Sequence, residues 1–579
     1  MDIGAVLERA FALHQGGRLA EAEPLYRDVL RAVPGDFNAR LLLGILFSQQ
    51  SRNPEALELL TAALAVHPDS DLALLNHGNV LAAMGRGGEA LASYDRAIAL
   101  YPQHADLRNA RGLLLVSQRH FQEALVDLDS AVAINPDFAQ AWKTRGNALQ
   151  GLKRLEEALA SYDRALALNP ADIQARDASA HVLRRLGRLD EALAAASGSH
   201  AQALNERGNI LQDMNRQDEA IQAYDRALAL DPDYSDARIN RGAAYRDLLQ
   251  FDHALADFDH VLAQDGGNAL AHWSKAIVRL MQGDLAEGLR LYEWRKHLDV
   301  PIEARNYPQP LWTGAEDISG KILFCYIEQG LGDTIQFFRF ALMAHQRGAR
   351  VILAVQDAIV QLMRDAGSGV EIVGSADVPR SFDYHVPLMS LPLAFGITHE
   401  TIPAPVPYLK AQGARIEQWC ARIGVEGFRI GVCWQGAASI ANRSFPPALL
   451  APIADMKGVR LISLQKGARE SPAWIESLGD GFDQQNQAFL DSAAVLQSLD
   501  LVITADTSVA HLAGALGKPA WLALKFAPDW RWFPATDSTP WYPQMRLFRQ
   551  AAPGDWKSVF EAMRRALHDV QFSERAFTN

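Results

Sequence analysis

Through the first half of the chain, apolar residues return at helical spacing, and that pattern itself repeats every 34 residues. Prolines stand at Pro34, Pro68, Pro102, Pro136 and Pro170. Small residues keep the same interval at Gly44, Gly78, Gly112, Gly146 and Ala180, and alanines at Ala22, Ala56, Ala90, Ala124, Ala158 and Ala192. Three independent ladders with one spacing predict a repeated pair of amphipathic helices. The small residues let the two helices approach closely. The proline stops the second helix, because it has no amide hydrogen and clashes with the preceding turn. In residues 139–170 the first helix should run to about Leu152 and the second should begin near Leu155. Around His200 one unit is six residues short, so a helix or loop must contract there. The ladders resume at Gly208, Ala220 and Pro232 and fade after Ala276 and Gly288, giving about nine units that end near Asp299.

Pro301, Pro308, Pro310 and Gly314 mark a connector. Beyond it the pattern changes to short apolar runs of strand length separated by helical stretches. Lys321–Ile327, Val351–Val355 and Val370–Val373 come first, and the proline-rich passage 403–407 follows. A second series has strands near Ile430–Trp434, Leu461–Leu464, Leu501–Thr504 and Ala520–Leu524, with a closing helix from about Trp556 to His568. Strand–helix alternation predicts parallel sheets with helices on both faces. Two series joined by a crossing predict two lobes with a cleft between them. The expected layout is a repeat array over 1–300, a connector over 301–320, a first lobe over 321–410 and a second lobe over 411–570. From about Pro308 onward the chain is expected to fold on its own strands.

The segment Glu157–Ala165 resembles a tetratricopeptide repeat and nearly recurs at Glu219–Ala227. The resemblance implies an all-α superhelical solenoid that presents a long surface to peptides or proteins. Asn76, Asn79, Asn147, Asn205 and Asn209 lie on first helices at related phases. Their amides suit the backbone of an extended acceptor peptide, and the set resembles the asparagine ladder of the eukaryotic O-GlcNAc transferase. The alternative is that asparagine is merely tolerated on a solvated face.

Charge and cysteine content narrow the class. A formal charge of −12 over 579 residues argues against nucleic acid as a partner. The three cysteines, Cys325, Cys420 and Cys433, form no C-x-x-C pair, so zinc ribbons and disulfide dependence are not expected. The start lacks the basic stretch of a signal peptide, and no apolar run reaches membrane-spanning length. A cytoplasmic chain without membrane insertion is expected.

In open parallel sheets, ligands gather at the carboxyl ends of the strands. Two loops fall there. Gly330-Leu331-Gly332-Asp333 places glycines for close backbone approach and an aspartate at a helix start. Asp333 reads either as a cap or as a general base. Asp506-Thr507-Ser508 with His511 opens a later helix, whose free N–H groups suit a phosphate. The alternative is a capped core helix carrying one polar histidine. No D-x-D stands at a strand end, so no metal is expected.

The pairing of Gly330-Leu331-Gly332-Asp333 with Asp506–Ala513 resembles glycosyltransferase family 9, over about Lys321–Leu567. That family includes the ADP-heptose:lipopolysaccharide heptosyltransferases. The resemblance implies a two-lobed GT-B fold, double Rossmann-like in the α/β sense, with a nucleotide sugar as co-substrate and no cofactor. It implies Asp333 as catalytic base, assisted by His511, and Asp506, Thr507, Ser508 and His511 as donor-binding residues. Trp434, Gln465, Lys466 and Arg443, the last within Asn442–Pro446, are further donor-binding candidates. Asp529-Trp530-Arg531-Trp532 is a candidate for shaping the sugar or base pocket. The first lobe is short for a heptosyltransferase, and the fusion to repeats is similar to bacterial protein glycosyltransferases, including those that modify flagellin, some with pseudaminic acid. The expectation is a protein O-glycosyltransferase. The alternatives are a repeat scaffold with an inactive transferase domain, or transfer to a glycan or lipid carrier.

Overall fold

Each proline of the ladder stands two residues past the last residue of a second helix, after Leu19–Ala32, Asn53–Val66, Gly87–Leu100, Phe121–Ile134 and Leu155–Leu168. The computed structural model describes residues 2–298, 305, 307–436, 443–467, 471–484 and 488–575, with side chains described to 569. They form two compact units, Met1–Ile210 and Leu211–Asn579.

In the first unit the small-residue ladder has a steric cause. A Cβ at Gly78 would lie 2.5 Å from the ring of Tyr94, and one at Gly146 would lie 2.5 Å from that of Tyr162. Gly44 and Gly112 receive Leu60 and Leu128 in the same way. Each glycine is thus the socket for a large side chain sixteen residues later. The contraction near His200 falls on a second helix. Leu189–Ala195 has seven residues where Leu155–Leu168 has fourteen. At the phase of Tyr162 this unit carries Ala196, and its socket position is filled by Ala180.

The second unit begins with repeat helices. Gln217–Leu230, Ser235–Asp247, Phe251–Gln264, Ala269–Met281 and Leu285–Tyr292 are followed by a 3-10 turn at Glu293–His297. A four-stranded parallel sheet follows: β1 (Ile322–Tyr326), β2 (Arg350–Val355), β3 (Glu371–Gly374) and β4 (Tyr384–Pro387), in the order β3-β2-β1-β4. A six-stranded parallel sheet comes next: β5 (Phe428–Cys433), β6 (Val459–Ser463), β7 (Ile475–Glu476), β8 (Leu501–Ala505), β9 (Ala520–Leu524) and β10 (Met545–Arg549). Its order is β10-β9-β8-β5-β6-β7. The helix Trp556–Arg575 covers this sheet through Val559, Phe560 and Met563.

The connector is structured where it is described; Pro301 lies outside the described residues. Trp312 is buried, its N–H donates to His385 O at 2.9 Å, and His385 N–H donates to Pro310 O at 3.1 Å. The segment after Pro308 does not pack on its own strands alone. Leu280, Met281, Leu285, Leu289 and Tyr292 of the last repeat share one apolar core with Trp312, Phe337, Trp530 and Trp541. Arg295, fully buried, donates to Glu328 at 2.8 Å, to Ser390 at 2.8 Å and to Glu293 at 2.6 Å. A buried charge is stable only when paired in this way. The last repeat therefore packs with the sheet-bearing region, and the later repeats lie with it in the compact unit that begins at Leu211.

Candidate functional site

The loop after β1 is gripped before it reaches its helix. Glu328 pairs with Arg295, the Gln329 amide donates to Tyr292 Oη at 2.7 Å, and Gln356 donates to Gln329 O at 2.8 Å. The helix Leu331–Gln346 then starts at Gly330, whose N–H donates to Asp333 Oδ2 at 2.9 Å. After β8, Thr507 caps the helix Ser508–Ala515, accepting from Val509 N–H at 3.3 Å. The two helices meet near their starts. A Cβ on Gly332 would stand 2.9 Å from His511 Cδ2 and 3.4 Å from Ser508 Cα. Gly332 is thus the residue that permits the approach.

Asp333 serves two partners. While Oδ2 caps the helix, Oδ1 accepts from Arg531 at 2.5 Å. Arg531 is buried, also donates to Asp529 at 2.8 Å, and lies over the Trp530 ring at 4.6 Å. Burial pushes Asp333 above the ordinary aspartate range, against the pull of Arg531. Burial would also raise Asp529, but Arg531 outweighs it and holds that carboxyl low. Asp506 is pushed up to about 6, by burial first and then by the nearby Asp529. His511 is buried and stacks on Trp532 at 5.3 Å, and its Nδ1 bonds Tyr542 Oη at 3.2 Å. Burial, followed by the neighbouring Arg531, lowers it to about 3, so the imidazole is neutral at physiological pH. It offers a hydrogen bond to a ligand there, not a positive charge.

The other sequence-selected residues divide. Thr507, expected to offer its hydroxyl to a phosphate, is buried and turned to Thr504 Oγ1 at 3.1 Å and to Cys433 Sγ at 3.9 Å. Ser508 is half-buried at the first turn. Gln465 Oε1 accepts from Gln435 N–H at 2.8 Å, so it shapes the end of β5. Lys466 Nζ donates to Asp483 O at 2.5 Å. Trp434 is buried in the core beside Phe445 and also borders a cleft of about 550 Å³ with Gln435 and Ser444. Asn442 lies outside the described residues, whereas Arg443 borders a cavity together with Asp506.

The five asparagines do not share one geometry. Asn79 accepts from Tyr94 Oη at 2.7 Å and Asn147 from Tyr162 Oη at 2.8 Å. Asn76 donates to Leu72 O at 2.8 Å within its own helix, Asn205 is buried, and Asn209 donates to Glu206 at 3.3 Å.

The cavity bordered by Arg443 and Asp506 measures about 230 Å³, and its opposite wall comes from the repeats, with Arg246, Asp247, Trp273 and Met281. A second, of about 630 Å³, shares Asp247, Lys525 and Ala527 with it and extends toward Gln217 and Trp556. Sequence reading missed this repeat wall, Lys525 and Tyr542. Lys525 follows directly on β9, a strand-end position that could have marked it. Nothing in the periodicity sets Trp273 or Arg246 apart from their equivalents in other repeats.

Among the described residues no helix is long and apolar enough to cross a membrane. Family models described as tetratricopeptide repeat match residues 41–105 and 139–172, and one described as TPR repeat matches 208–248. Protein FlbA of Caulobacter vibrioides is 28% identical over 418 residues, covering 66% of this chain and 69% of that protein. Such a span exceeds the repeats and so runs into the sheet-bearing part. Among solved structures, a tetratricopeptide repeat protein from Parabacteroides merdae matches at 19% identity and a TM-score of 0.34, over 42% of this chain and 98% of that one. YrrB, described as a TPR protein with an unusual peptide-binding site, matches at 26% identity and a TM-score of 0.28, over 31% of this chain and 95% of its own. The chain thus carries tetratricopeptide repeats, followed by a region of parallel sheets, and is similar to FlbA.

Proposed function

We propose that the chain is a metal-independent glycosyltransferase of the GT-B type. It would move a sugar from a nucleotide donor to a Ser or Thr hydroxyl of a protein held by the repeats, flagellin being the leading candidate and an acidic nonulosonic sugar a candidate donor. The observation that carries the reading is the meeting of two helix starts at Gly332 and Ser508, at strand ends, with Asp333 and Arg531 beside them. Helix starts present unpaired N–H groups and partial positive charge to a leaving nucleotide phosphate. Asp333, whose proton affinity is raised by burial, takes the acceptor proton as the hydroxyl oxygen attacks the anomeric carbon and the bond to phosphate breaks. The repeats belong to a class of surface that binds peptides and proteins.

Asp333→Asn is expected to lower turnover by about 10²–10⁴-fold, the usual worth of a general base. The measurement is mass-spectrometric detection of sugar on proteins incubated with a panel of nucleotide sugars. A variant with wild-type turnover would remove Asp333 from the reaction. The ion pair of Asp333 with Arg531 also suits a purely structural strut in a non-catalytic scaffold. On that reading the wild-type chain transfers nothing from any donor.

A further inference from the structure

Lys525 is the first residue beyond β9, and its backbone is fixed from both sides. Phe526 N–H donates to Gln550 Oε1 at 3.1 Å, and Gln550 N–H donates to Leu524 O at 3.1 Å. Gln550 is itself buried. Lys525 is half-buried and borders both cavities, yet among the described residues its ammonium has no hydrogen-bond or ion-pair partner. Other charges around the smaller cavity are already matched. Arg246 pairs with Asp247 at 2.8 Å, and Arg531 pairs with Asp529 at 2.8 Å. Arg443 remains, bordering the same cavity, and its Nε is buried without a partner. Among the described residues that border the smaller cavity, Asp506 is the one carboxylate not already held in an ion pair, so one negative charge faces two cations.

We propose that Lys525 and Arg443 bind an anionic oxygen group, phosphate or carboxylate, in the cavity walled on its far side by Arg246 and Trp273 of the repeats. Two like charges beside one small cavity repel, and an anion between them turns that cost into attraction. The strand-end lysine Lys466 does not border this cavity, and its ammonium donates to the Asp483 carbonyl. Phosphate would come from a nucleotide donor, and carboxylate from an acidic sugar. The site is shared with the proposed transferase, but the claim concerns bound charge and stands whether or not sugar moves.

The test is calorimetry of the full chain with inorganic pyrophosphate and, separately, with N-acetylneuraminate. At least one is expected to bind, and which one identifies the source of the anion. Lys525→Met should weaken that binding about tenfold or more, the worth of one charge-assisted hydrogen bond. Lys525→Arg should retain most of it, and Lys557→Met, on an exposed lysine of the closing helix, should leave it unchanged. Among the described residues Lys525 has no hydrogen-bond or ion-pair partner to lose, and Lys525→Gln is read beside the Met variant, with thermal unfolding of both as the check on folding. The proposal is overturned if neither probe binds the wild-type chain, or if the folded Met and Gln variants bind as tightly as wild type. Pyrophosphate binding without any sugar transfer would sink the proposed reaction and leave this site standing.

Discussion

His511 shows what burial does to a single side chain. An imidazole that titrates near 6.5 when unfolded is lowered to about 3 in the fold, by burial and then by Arg531. Between those values the folded chain binds fewer protons than the unfolded one. The His511 contribution is therefore fully present above about pH 6.5 and is lost as pH falls toward 3, by up to ~1.4 kcal/mol per pH unit. Asp506 acts in the opposite sense. Its folded value of about 6 lies above the ordinary 3.8, so its contribution is lost as pH rises through that window. Comparing variant with parent isolates the histidine. Thermal midpoints of His511→Gln, measured from pH 8 to pH 4, should fall less steeply on the acid side than those of the parent. Parallel curves would mean that another group senses the acid. Neither shift is visible in sequence, where Asp506 and His511 are simply a helix start and a residue one turn in. The side chains packed against His511, Trp532 and Tyr542, lie more than twenty positions away in the chain.

At the scale of elements, the sequence was most informative where one residue type meets one geometric demand. The glycine and proline ladders located the repeat helices to within a few residues, because each glycine is a socket and each proline a stop. Gly146→Ala should press a methyl to 2.5 Å from the Tyr162 ring and cost about 1–3 kcal/mol of overpacking. Denaturant unfolding reads this, and an unchanged midpoint would mean that the ring simply steps aside. Gly332→Ala is the sharper case. The obstacle there is the buried His511 ring, Cδ2 at 2.9 Å, with Ser508 Cα already at contact distance, 3.4 Å, so the ring must leave its stack on Trp532 or the helix starts must shift. Transfer activity should fall far more than stability does, and a fully active variant would show that the close approach is not needed for the reaction. Strands β4, β7 and β10 were not legible. His385 and Pro387 interrupt the apolar run of β4, β7 has two residues, and Arg546 and Arg549 dilute β10. All three lie at sheet edges, where burial on both faces is not required.

For the whole molecule, the shared core decides what can be cut. A chain beginning at Pro308 loses Leu285, Leu289 and Tyr292 from the core and leaves Glu328 buried without Arg295. Breaking a buried pair in this way costs about 3–5 kcal/mol before any apolar loss is counted. The fragment 308–579 should therefore lack cooperative unfolding in calorimetry, whereas one beginning at Ala201, at the start of a helix, should keep it. A sharp, reversible transition in the shorter fragment would contradict this. Periodicity alone suggested otherwise, since the last repeat reads like its predecessors and only its packing partners differ. The Arg295–Glu328 tie has a further consequence for engineering. The later repeats wall the cavities at the strand ends and the final one shares the core of the sheets, so they travel with the sheets as one exchangeable piece. Chimaeras between related chains should be spliced before Ala201 and not at the connector.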